Sequence, residues 1–167
     1  MTFYLYHDII YIISISLIIT LRSENIMNPH TDLLAFLYTI AAENIENDAL
    51  GKLGTQLDCK PVNWQAVDEK LKNIFIDYPE LEQTYIHYQT QLDTKDKQLL
   101  LDLLPSQEEL NKNSELLARS GIPGSDDPVT IEITNTAVVI LKNDNPIELS
   151  KKLLKPLNET LQEQGNN

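Results

Sequence analysis

The sequence predicts a mainly α-helical fold: an antiparallel helical bundle followed by a small C-terminal β-hairpin and a closing helix. Three observations carry this expectation. Apolar residues recur at three- and four-residue spacing from residue 29 to about residue 120. Capping residues stand before most of these runs, and Pro or Gly stands after them. Between residues 129 and 141 the helical spacing gives way to alternation and then to a β-branched run. With 42% hydrophobic and 23% charged residues, the 167-residue chain has the composition of a folded domain, which excludes global disorder.

The first 26 residues stand apart as an apolar leader. Ile9 to Leu21 are 13 uncharged residues, and extension back to Phe3 gives 19 interrupted by His7 and Asp8. Their Phe, Ile and Leu side chains favour insertion by about 3–7 kcal/mol, against about 3 kcal/mol for a central Asp and further costs for Ser, Tyr and His, so a membrane span is marginal. A secretory signal is not expected, because no positive charge precedes the run and no small-residue cleavage site follows it. The other readings are a misread start, with translation beginning at Met27 instead of Met1, and a structured apolar helix or strand. Asn28 and Pro29 form an N-cap and first-turn proline directly after Met27.

From Pro29 to about Asp48 the residues Leu33, Leu34, Leu37, Ile40, Ala41 and Ile45 predict a buried helix with a wide apolar face. Gly51, Gly54 and Pro61 predict a turn or a short second helix. Asn63 caps a helix striped by Trp64, Val67, Leu71, Ile74 and Phe75. Pro79 ends it and starts another, on which Leu81, Tyr85, Tyr88 and Leu92 share a face. Thr94 is read as the cap of KDKQLLLDLL, which Pro105 closes. Ser106 and Glu109 make a capping box for a helix running to about Arg119, with Gly121 as its stop. These segments form the expected bundle, residues 27–120.

Residues 121–128, GIPGSDDP, read as a linker loop. Residues 129–167 are then the hairpin plus the C-terminal helix, packed on the bundle. VTIEIT alternates and AVVIL is continuous, which predicts two strands turning at Asn135 and Thr136, or one long strand. Asn145 and Pro146 open the last helix, which Pro156 kinks or divides.

Charge narrows the partners. The formal net charge is −12, of which the first 26 residues contribute −1, from Asp8 and Glu24 against Arg22, leaving −11 on the body. Such a surface repels phosphate backbones and anionic membranes and suits a basic partner, so no nucleic acid is expected. Cys59 is the one cysteine, which excludes an intrachain disulfide and a cysteine zinc cluster and suits a reducing cytoplasm.

Chemistry is sparse. His7, His30 and His87 show no metal-ligand spacing, GKLG at 51–54 lacks the phosphate-loop length, and Cys59 has no glycine-framed nucleophile motif. No cofactor and no metal are expected, and the chain is read as non-enzymatic. An isolated hairpin is marginal in water, so its edge is expected to pair with a protein partner or a second copy through Val129, Ile131, Ile133, Val139 and Leu141. The leading expectation is a cytoplasmic protein-interaction or regulatory module. Two alternatives are a membrane-tethered acidic body held by residues 3–21, and a small ligand-binding protein or enzyme with a pocket near Tyr85 and His87.

Overall fold

The computed structural model describes residues 28–43, 45–113 and 127–157. Every regular element among them is a helix, and the helical bundle predicted from the sequence is present. The elements in chain order are α1 (Pro29–Ala42), α2 (Asn47–Leu57), α3 (Trp64–Asp77), α4 (Glu80–Asp93), α5 (Lys97–Asp102), α6 (Gln107–Lys112), α7 (Pro128–Leu141) and α8 (Pro146–Leu153).

Two helices, α1 and α7, form the centre. Residues 31–40 of α1 are all buried, and α1 packs against α4, α7 and α8. Helix α7 packs against α1, α2, α5 and α8. The outer helices are amphipathic and turn one stripe inward: Leu50, Leu53 and Leu57 from α2, Val67, Leu71, Ile74 and Phe75 from α3, Leu81, Tyr85 and Leu92 from α4. Phe75 links the layers, with its ring edge-on to Phe36 at 6.1 Å and tilted against Tyr85 at 4.8 Å.

The predicted β-hairpin is replaced by α7. Asp127 caps the helix, accepting hydrogen bonds from the Thr130 amide at 3.3 Å and the Thr130 hydroxyl at 2.9 Å, and Pro128 occupies the first turn, where no amide hydrogen is needed. Burial follows a helical and not a strand period. Thr130 and Thr134, which a strand would turn to the face opposite Val129 and Ile133, are buried with them, and the less buried positions are Ile131, Glu132 and Asn135. Thr134 satisfies its hydroxyl by donating to the Thr130 carbonyl one turn earlier, at 2.6 Å.

The remaining comparisons with the sequence reading concern boundaries. The helix expected from Pro29 to about Asp48 stops at Ala42, and of the turn or short second helix expected around Gly51 and Gly54 the short helix is present, as α2, which runs through both glycines. Gly54 serves the α2–α7 crossing: a Cβ there would lie 3.0 Å from Leu141 Cβ and from Lys142 Cγ. Asp96, not Thr94, caps α5, accepting from the Leu99 amide at 2.9 Å, while the Thr94 hydroxyl donates back to the Gln91 carbonyl. The expected extension of α6 to Arg119 and most of the linker, residues 114–126, lie outside the described residues.

Candidate functional site

The partner surface expected from the sequence is a strand edge, and no such edge exists among the described residues. Val129, Ile133, Val139 and Leu141 are between 0% and 6% exposed within α7, and Ile131 is half-buried against the core. Tyr85 and His87 are not brought together either. Tyr85 is wholly buried and its hydroxyl donates to Asp32 Oδ1 at 3.1 Å, whereas His87 is exposed beside Gln91 and Tyr88.

Asp32 anchors a buried polar network. It accepts from the Asn28 amide at 2.8 Å, the Tyr85 hydroxyl and the Gln89 amide, and so ties the start of α1 to α4. A second tie runs from the Tyr38 hydroxyl to the Lys155 carbonyl at 2.6 Å, and burial followed by the neighbouring Tyr88 pushes the Tyr38 hydroxyl well above the usual tyrosine range. Both networks close on protein groups and hold helices together.

A groove of about 560 Å³ lies between α2 and the turn after α7, lined by Asn47, Gly51, Lys52, Lys142 and Asp144 among others. Its two lysines are paired and its Asn47 amide is bonded. Lys52 meets Asp48 at 2.5 Å, Lys142 meets Asp58 at 2.7 Å, and the Asn47 amide donates to the Asp144 carbonyl. Among the described residues no group of His, Cys, Asp and Glu forms a metal-ligand set. Cys59 is exposed, with its thiol 3.5 Å from the Thr55 carbonyl.

The corner between α3 and α4 is different in kind. Residues 73–94 contain Asp77, Glu80, Glu82 and Asp93 and not one Lys or Arg. This stretch also holds the two large hydrophobic side chains that stand exposed among the described residues, Ile76 at 70% and Ile86 at 39%. Neighbouring segments add charge of the same sign. The Glu46 carboxylate stands close enough to Tyr78 to act on its hydroxyl, and the Thr84 hydroxyl donates to Glu43 Oε1 at 2.9 Å. Partial desolvation, then the Glu46 and Asp77 carboxylates, raise the Tyr78 hydroxyl above its ordinary value.

At the corner the end of α3 adds to the charge imbalance, while the end of α4 lies a 14-residue helix away. Helix α3 closes with Asp77 and no basic residue in its last turn, and α4 closes with Asp93 in the same way, so each carboxylate sits at the negative end of a helix dipole. Lys72, the cation nearest Ile76 along α3, is paired with Asp68 at 2.6 Å. The cation-free run was readable in the sequence. The exposure of Ile76 was readable too, since it lies one residue off the Ile74–Phe75 stripe. The approach of Glu43 and Glu46 depends on tertiary packing and left no local signal.

No protein-family model, no curated protein and no solved structure matches the chain. No described helix is long and apolar enough to cross a membrane, and residues 3–21 lie outside the described residues.

Proposed function

We propose that this chain is a non-enzymatic protein-interaction module whose partner surface is the α3–α4 corner. The observation that supports this reading is the coincidence of the exposed Ile76 and Ile86 with the cation-free acidic run of residues 73–94. Protein interfaces combine a few apolar anchors that become desolvated with a polar rim whose charge selects the partner. Ile76 and Ile86 supply the anchors. Asp77 and Glu80, with Glu46 reaching the same corner, supply a negative rim, so the partner presents a basic segment carrying apolar side chains.

The reading keeps the interaction role expected from the sequence and moves its surface from α7 to the α3–α4 corner. The test is a photo-crosslinking residue placed at Ile76 in cells, with Glu108 on the exposed face of α6 as the control position. A discrete adduct at position 76 that is absent at 108, and that weakens when Glu46, Asp77 and Glu80 are changed to Gln, is expected. Equal adducts at both positions, or indifference to the three Gln changes, overturns the reading.

A further inference from the structure

Helix α7 is built from residues that prefer another structure. Nine of its fourteen positions are β-branched: Val129, Thr130, Ile131, Ile133, Thr134, Thr136, Val138, Val139 and Ile140. Relative to alanine such residues cost an isolated helix roughly 0.4–0.7 kcal/mol each, because their χ1 freedom is lost against the preceding turn. The helix therefore depends on its burial between α1, α2, α5 and α8 and on its Asp127 cap. Residues 129–141 contain no Pro and no Gly, and Glu132 is their single charge. From Ile133 to Leu141 there is no charge at all. High β propensity, high hydrophobicity and low charge over six or seven residues are the composition of a strand that stacks on copies of itself.

We propose that residues 129–141 are a latent strand segment, held helical by the bundle and pairing with the same segment of a second copy when that packing is lost. The competing preferences belong to one stretch of chain: local propensity favours extended backbone, and tertiary burial favours the helix. Partial opening that releases α7 exposes unpaired backbone together with the β-branched run, the two requirements for strand addition. The partner is a second copy of this chain because in-register stacking places each apolar residue on its equivalent.

The experiment uses the full-length chain in urea near its unfolding midpoint, with thioflavin fluorescence and the infrared amide band following assembly and hydrogen exchange mapping the protected core. The chain carries a second candidate, the Ile-rich run of residues 9–21, so the map decides between them. Asn135→Lys places a charge within the segment at a half-buried helix position, and Asn73→Lys places the same charge on the exposed face of α3. Glu132→Gln removes the segment's single charge. The expected result is a β-rich assembly with residues 129–141 in its core, slowed several-fold by Asn135→Lys, unaffected by Asn73→Lys and hastened by Glu132→Gln. A core confined to residues 9–21, equal slowing by the two Lys variants, no response to Glu132→Gln, or no β-rich assembly overturns the proposal.

Discussion

Helices α1 and α7 have the same length, the same central position and nearly the same burial, yet they reach it from opposite sequences. Helix α1 is PHTDLLAFLYTIAA, rich in Leu and Ala, with three β-branched residues. Helix α7 is PVTIEITNTAVVIL, with nine. By intrinsic propensity the second is less favourable by roughly 2–4 kcal/mol, and it is still a helix. What the two share is a start signal, Asn28–Pro29 and Asp127–Pro128, and an environment that covers them on most sides. Packing and capping outweigh propensity at this position, because a helix covered on most sides gains apolar burial around most of its circumference.

The strongest way to break that comparison is to remove packing from each helix at an equivalent site. Leu37 on α1 and Ile133 on α7 are both 0% exposed. Leu37→Ala and Ile133→Ala are each expected to lower stability by about 2–5 kcal/mol in urea denaturation. If α7 is as central as α1, the two losses agree within that range. A loss below about 1 kcal/mol at Ile133 alone would show that α7 is not part of the cooperative core.

The same pair shows how much was legible. The outer helices could be read because each has one apolar stripe and distinct caps: Asn63 accepts from the Ala66 amide, and Ser106 forms its capping box with Glu109, as the sequence predicts. Helix α7 could not be read from period alone, because a segment buried on nearly all sides has no polar face to reveal three-residue spacing. Its Val129, Ile131 and Ile133 fit an alternating strand as well as a helix. The decisive signal was Asp127–Pro128, the same pair type that marks Asn28–Pro29 and Asn145–Pro146, but its neighbours Gly124, Ser125 and Asp126 gave it the composition of a loop. Of the candidate site, the acidic run and the off-stripe Ile76 were visible locally; Glu43 and Glu46 join them only through the fold.

Two glycines of α2 sharpen the role of the α2–α7 crossing. A Cβ at Gly54 meets Leu141 Cβ and Lys142 Cγ at 3.0 Å and the Leu141 carbonyl carbon at 3.2 Å, whereas at Gly51 it meets nothing within 4 Å. Gly54→Val is expected to destabilise by about 1–3 kcal/mol through overpacking. Gly51→Ala is expected to stabilise by up to about 1 kcal/mol through helix propensity. The measurement is the shift in thermal midpoint. Equal shifts of one sign would deny that α2 and α7 approach as closely as Gly54 permits.

The caps of α7 and α8 test the start signal itself. Asp127 accepts from both the amide and hydroxyl of Thr130 and pairs with Lys97 at 2.9 Å, while Asn145 accepts from the Glu148 amide at 3.4 Å. Asp127→Ala is expected to cost about 1–2 kcal/mol, and Asn145→Ala less, near the lower end of cap values at about 0.5 kcal/mol. The order of the two losses in chemical denaturation is the point. A reversed order would mean that the Asp127 cap contributes little and that burial alone holds α7 helical.

The smallest effect concerns two threonines inside α7. Thr134 and Thr136 are both buried, at 2% and 0% exposed, but only Thr134 has its hydroxyl bonded, to the Thr130 carbonyl; Thr136 Oγ1 has no hydrogen-bond partner. A buried hydroxyl without a partner costs roughly 1–3 kcal/mol of desolvation, and valine has the same shape and nearly the same helix propensity. Thr136→Val is therefore expected to stabilise the protein by about 1 kcal/mol, seen as a rise in thermal midpoint, while Thr134→Val changes stability little because the Thr130 carbonyl belongs to the helix ladder in any case. Should Thr136→Val destabilise instead, the hydroxyl has a polar partner at the centre of the bundle, and α7 is held there by more than apolar burial.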